Sequence, residues 1–152
     1  MKILLAVDGS TYGDAAVDEV AERPWPTGSE VKILSAIEPP ATPVAEPWAL
    51  PPSYFAEIEK AGHDRTLATV EGALSKLRTT CADKTLKLTT AMLMGSPKQV
   101  ILDEAEAWGA DLIVLGSHGY GAWQRFLLGS VSNAIALHAK CSVEIVRRPR
   151  KE

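Results

Sequence analysis

A chain of 152 residues is long enough to bury a core without disulfide or metal staples, and its length predicts a single domain spanning residues 1–152. Sixteen lysines and arginines against nineteen aspartates and glutamates leave a net charge of −3, which gives no broad positive field for nucleic acid, so any anion site must use local backbone dipoles. Cys81 and Cys141, the only cysteines, stand in no C-x-x-C or zinc spacing and predict small core residues in a reduced, cytoplasmic setting.

The run from Lys2 to Val7 is too short for a signal h-region or a membrane span and is closed by the charge of Asp8. It predicts the first strand, with neither export nor membrane insertion. Ser10 and Thr11 then open a helix on which Ala16, Val17, Val20 and Ala21 form an i, i+1, i+4, i+5 stripe, and Pro24 and Pro26 stop it. A second strand is predicted from Val31 to Ile37. The following segment, Pro39 to Pro52, is too rich in proline for a helix or a central strand and reads as a long exposed loop.

Ser53 is placed to cap the second helix, where Leu67, Val70, Leu74, Leu77 and Cys81 recur at helical steps. A third strand runs from about Leu86 to Met94. Gly95-Ser96-Pro97 supplies a turn, an N-cap and a proline for the first helical position, and Gly109 ends that third helix. Asp111 to Leu115 is the fourth strand, Ser130 caps the fourth helix, and Ser142 to Arg147 is the fifth strand. Strands alternating with helices predict βαβ units, hence an α/β, doubly wound parallel sheet of the Rossmann-like kind. Strands one and four are the most continuously apolar and are expected side by side at its centre. Ligands of such sheets sit outside the carboxyl ends of the strands where the winding reverses, which brings the residues after strands one, two and four to one crevice.

The segment with most chemistry follows strand four: Gly116-Ser117-His118-Gly119, then nine residues, then Gly129-Ser130. Glycines after a buried strand let backbone N–H groups approach an anion, and a Gly-Ser pair opening a helix adds donors at a positive dipole end. Ser130 is by default an N-cap, but the open backbone at Gly129 favours phosphate contact, with Ser132 sharing the task. Asp8, in Asp8-Gly9-Ser10 after strand one, has three readings. It accepts from a ribose hydroxyl or an adenine amino group, helps hold a phosphate-bound Mg²⁺, or makes an Asx-type turn or helix cap.

His118 either reaches a phosphate or points into solvent. Arg125 is placed to neutralise phosphate charge, although a solvated surface arginine is the commoner outcome. Phe126, Leu127 and Leu128 read as anchors for the loop. Trp48 and Trp123 are aromatic candidates to cover a base or meet a partner, against the commoner reading of packing on their own chain. His138 reads as a packed or rim residue, and Arg147, Arg148, Arg150 and Lys151 as a solvated tail. No Gly-Lys-Ser or Gly-Lys-Thr occurs, no G-x-G-x-x-G follows strand one, and there is no G-x-S-x-G elbow, which excludes a P-loop NTPase and gives a triad of Asp8, His118 and Ser130 no support.

The order of Ile3-Leu4-Leu5-Ala6-Val7-Asp8-Gly9-Ser10, Gly95-Ser96-Pro97, Ala110 through Gly119, Gly129-Ser130 and the closing strand resembles the universal stress protein family, over nearly the whole chain. The resemblance implies a five-stranded sheet in the order 3-2-1-4-5, often dimeric, with ATP or another adenine nucleotide (AMP or ADP) at the carboxyl edge. By position it places Asp8 near the adenosine, with Gly9 and Ser10 beside it. Ala36 or Ile37 would offer backbone groups to the adenine edge. Gly116, Ser117, His118 and Gly119 form the phosphate loop, which Gly129, Ser130, Val131 and Ser132 complete. The intact signature favours the ATP-binding branch. The fifth strand would pair across a two-fold axis in a homodimer, unless Glu144 on that edge discourages it.

The expected function is an ATP-binding stress-response regulator whose occupancy by nucleotide changes a surface for a regulatory protein partner. The alternatives are a slow or partner-triggered ATPase and a nucleotide-independent interaction module. The sequence names no catalytic base.

Overall fold

The computed structural model describes residues 1–39, 50–81, 85–119 and 128–147. Within them strands and helices alternate as predicted: β1 (Lys2–Ala6), α1 (Thr11–Glu22), β2 (Glu30–Ile37), α2 (Pro52–Thr80), β3 (Lys87–Met94), α3 (Pro97–Trp108), β4 (Leu112–Gly116), α4 (Ser130–His138) and β5 (Ser142–Val146). The strands form one parallel sheet in the order β3-β2-β1-β4-β5. β1 and β4 are neighbours at its centre, with Ile3 opposite Leu112 and Ala6 opposite Leu115.

Successive side chains on a strand point to opposite faces, so these two central strands feed two cores at once. Ile3, Leu5, Leu112 and Val114 pack with Ala16, Val17 and Val20 of α1 and with Val70, Ala73 and Leu77 of α2. On the other face Leu4, Ala6, Ile113 and Leu115 pack with Val100, Ile101 and Ala105 of α3 and with Ile135 of α4. Ile3, Leu4, Leu5 and Ile113 are fully buried, each contributing about 1.5–3 kcal/mol relative to an exposed side chain. Cys81 lies in the first core, and Cys141 packs half-buried against the second, where burial pushes its thiol pKa up.

Helix ends show where local signals ruled and where they did not. Ser10 caps α1 by accepting from Gly13 N at 3.1 Å, and Arg23 is already extended (φ −70°, ψ 137°), as the residue before Pro24 must be. Gly109 ends α3 in the left-handed conformation, φ 70°. Two expected caps are corrected. α2 begins at Pro52 after Pro51, so Ser53 sits inside the first turn, because a proline at the first helical position has its φ preset and has no N–H to satisfy. Likewise the N-cap of α4 is Gly129, not Ser130, and among the described residues no side chain caps that helix. Ser96 takes the N-cap position of α3, again without a side-chain bond.

The edge strand β5 settles the role of Glu144 within the chain. Both of its carboxylate oxygens accept from the Arg23 guanidinium at 2.6 Å, and Arg23 also binds Glu19 and stacks over Trp25. The charge expected to discourage strand pairing is therefore paired by a guanidinium that Glu19 shares.

Gly116 ends β4 where α1 crosses it. A Cβ there would stand 2.5 Å from the carbonyl carbon of Tyr12 and 2.6 Å from its oxygen, both backbone atoms that cannot swing aside. The glycine is needed for close packing of helix on strand. Gly116→Ala is expected to lower the free energy of urea unfolding by about 2 kcal/mol through overpacking; an unchanged midpoint would show that α1 can shift to admit the methyl.

Candidate functional site

The winding of the sheet reverses between β1 and β4, and there the carboxyl edge opens into a crevice of about 980 Å³. Its depth follows from unequal strand lengths. The β1–β2 register ends at Ala6 opposite Leu34, whereas β2 continues beside β3 to Ile37 opposite Met94. The β1-facing edge of β2 at Ala36 is thus left bordering the crevice. Of the residues expected at a ligand, Asp8, Ala36, Ile37, Gly116, His118 and Gly119 line it, and so do Gly129, Ser130, Val131 and Ser132. Gly9, Ser10 and Ser117 do not.

Those three have structural work instead. Gly9 takes φ 76°, which turns the chain from β1 towards α1. Ser10 is the buried cap already described, and its hydroxyl donates to Asp8 Oδ1 at 2.6 Å. Ser10 N donates to the same oxygen at 2.9 Å, so the Asx-type turn is present. It uses one carboxylate oxygen only: Oδ2 has no hydrogen-bond partner among the described residues and stands 2.8 Å from where a Cβ on Gly119 would be. The turn and the ligand-facing role of Asp8 are compatible, one oxygen for each.

Ser117 ties the two halves of the glycine signature together. It is 1 % exposed; its N–H donates to Val146 O at 2.8 Å, and its carbonyl accepts from Gly129 N and from Ser132 Oγ, both at 2.8 Å. Gly129 is a close-approach glycine, since a Cβ would lie 3.2 Å from both His118 Cα and Ser117 O. The result fixes the first turn of α4 against the end of β4. Among the described residues no side chain caps this helix, so its leading N–H groups, at Ser130 and Val131, border the crevice with no side-chain acceptor there. His118 lies half-buried beside them, its ring 5.1 Å from that of Tyr12 and its Nδ1 3.1 Å from Ser117 Oγ.

Several lining residues escaped the sequence reading: Gly62, Arg65, Thr66 and Thr69 of α2, together with Glu38 and Asn133. A signal was available for the threonines, which interrupt the aliphatic stripe of α2 on its inward side. His138 borders a separate cavity of about 220 Å³ between the ends of α3 and α4, with Cys141 and the Lys140–Glu106 ion pair nearby. Trp48, Trp123, Arg125, Phe126, Leu127, Arg148, Arg150 and Lys151 lie outside the described residues. Among the described residues no three His, Cys, Asp or Glu side chains cluster to hold a metal, and no helix is long and apolar enough to cross a membrane.

The family model for the universal stress protein family matches residues 1–147. The chain belongs to the universal stress protein family. A universal stress protein of Thermus aquaticus is 31% identical over 145 residues, covering 95% of this chain and 97% of its own. The solved structure of the universal stress protein UspA from Lactobacillus plantarum superposes with a TM-score of 0.75 at 26% identity, covering 97% of each chain. A universal stress protein in complex with cAMP has the same fold (TM-score 0.69, 21% identity, 96% of each chain covered). So does a universal stress protein family protein from Arabidopsis thaliana with AMP bound (TM-score 0.67, 19% identity, 99% of this chain and 93% of that one).

The Ser117 clasp gives this universal stress protein a specific sensitivity. Ser132→Ala removes the hydroxyl that donates to Ser117 O and, at 3.1 Å, to Gly129 O. A loss of about 1 kcal/mol in stability is expected, with faster hydrogen exchange concentrated in the first turn of α4. Exchange that rises evenly over the whole chain would contradict the local role.

Proposed function

We propose that the crevice binds an adenine nucleotide, with ATP as its working occupant, and that occupancy changes a surface read by a regulatory protein partner. The observation that carries this reading is the uncapped first turn of α4, held by Ser117 beside Asp8 and the exposed edge of β2. A helix start without a side-chain acceptor has unsatisfied donors and a positive dipole end, which suit a phosphate. On this reading Ser130 and Val131 donate backbone N–H bonds to the phosphates, and Gly119 lets them pass close to Asp8. Asp8 Oδ2 accepts from the ribose or joins a phosphate-bound Mg²⁺, and the backbone at Ala36 and Ile37 borders the adenine.

Bonds to charged phosphates contribute on the order of 1.5–3 kcal/mol each, so a few of them with adenine burial reach the roughly 8 kcal/mol of a micromolar complex. Support for the adenine class also comes from the relatives of the same fold whose structures hold AMP and cAMP. We further propose a homodimer through β5, where Glu144 is held in an ion pair by Arg23.

Two measurements test the nucleotide reading. Protein purified without added ligand is denatured and the released small molecules are identified, and ATP binding is measured by calorimetry; neither released nucleotide nor binding heat would sink the proposal. Ser130→Glu supplies the discriminating variant, because Ser130 is exposed and an acidic residue in the first turn suits the helix dipole. Its melting temperature should stay level or rise slightly, while ATP affinity falls by about tenfold or more as the new carboxylate competes with phosphate. Unaltered ATP binding in that variant would place the phosphates elsewhere.

A further inference from the structure

α2 is longer than the sheet it covers. Its 29 residues span about 44 Å, yet only Val70, Ala73 and Leu77 are buried, and β2, on which it packs, has 8 residues or about 27 Å. The first half of the helix therefore overhangs the carboxyl edge. Where it passes the crevice its inward stripe changes from aliphatic residues to Thr69, Thr66 and Gly62, and Arg65 lines the crevice with them. The threonine hydroxyls donate back along the helix, Thr66 to Gly62 O at 2.9 Å and Thr69 to Arg65 O at 3.0 Å, so towards a ligand they are acceptors.

Arg65 differs from them in kind. Among the described residues it is the only lysine or arginine that lines the crevice, where the other charged lining groups are the carboxylates Asp8 and Glu38. Its side chain is exposed and makes no ion pair among the described residues. The dipole end of α4 amounts to roughly half a positive charge, enough to favour one phosphate but not to offset a polyphosphate beside two carboxylates. A guanidinium presents a planar fork of donors that matches phosphate oxygens, and its attraction grows with each phosphate added.

Resting on the nucleotide reading above, we propose that Arg65 sets the phosphate number the crevice accepts: it pairs with the outer phosphates of an adenine nucleotide, so that a triphosphate is held more tightly than a monophosphate. The overhang of α2 supplies the position. With the base at Ala36 and Ile37 and the first phosphate at the start of α4, the outer phosphates reach Arg65 by turning back across the crevice, since α2 and α4 cover opposite faces of the sheet.

Calorimetry with ATP, ADP and AMP at one fixed ionic strength, on the parent protein and on Arg65→Gln and Arg65→Lys, tests this. The parent should bind ATP about tenfold more tightly than AMP, and Arg65→Gln should lose about tenfold for ATP with less than a twofold change for AMP. Arg65→Lys, which retains the charge, should recover most of the difference. Because Arg65 is exposed, the variants are expected to melt with the parent. Equal losses for ATP and AMP would assign Arg65 to the base or to a general field and overturn the proposal, as would an ATP-to-AMP ratio unchanged in Arg65→Gln. A parent protein that binds none of the three nucleotides overturns both this proposal and the reading on which it rests.

Discussion

At the end of β4 the chain leaves the sheet, and the carbonyl of Ser117 accepts there from the backbone of Gly129 and the hydroxyl of Ser132. Those two bonds decide where α4 begins. They bring its first turn to the carboxyl edge at the point where the sheet winds in both directions, beside the residues that follow β1. Because Ser117 is buried and its own N–H is tied to β5 through Val146, the clasp is anchored on the sheet. Buried hydrogen-bonding groups are costly to leave unpaired, so the arrangement has few alternatives.

The glycines of the signature follow from the same constraint. Gly116, Gly119 and Gly129 all avoid left-handed backbone; a Cβ would strike the Tyr12 backbone at Gly116, press on the Asp8 carboxylate at Gly119 and crowd the His118 turn at Gly129. Close approach of α1 to β4, of the first turn to the fourth, and of α4 to the end of β4 draws the crevice walls together. Substituting any of them presses on protein before it presses on a ligand. The polar character of the site comes from elsewhere, from an uncapped helix start, one carboxylate oxygen of Asp8 and the α2 wall.

Much of this was legible in the sequence. The alternation of apolar runs and helical stripes predicted the nine elements of the described residues, and the continuous apolarity of residues 3–7 and 112–115 predicted the central pair, because strands covered on both faces have no polar side to show. Caps were read less well. Serine is the usual N-cap, but at Ser53 a neighbouring proline and at Ser130 the Ser117 clasp set the start of the helix one residue earlier or more. Such a shift depends on tertiary contacts that sequence spacing does not encode. The same holds for Arg65: its place at the crevice depends on how far α2 projects past the sheet, whereas the apolar stripe reports only the part that packs.

Nucleotide binding as proposed requires phosphate to meet the first turn of α4, and amide chemical shifts report that contact residue by residue. Titrating labelled protein with ATP, and separately with adenosine, should move the amides of Ser130 and Val131 strongly with ATP and weakly with adenosine, while the amides near Ala36 and Ile37 respond to both. Phosphate-dependent shifts that bypass α4 and gather at another helix start, such as Lys98 and Gln99 of α3, would contradict it.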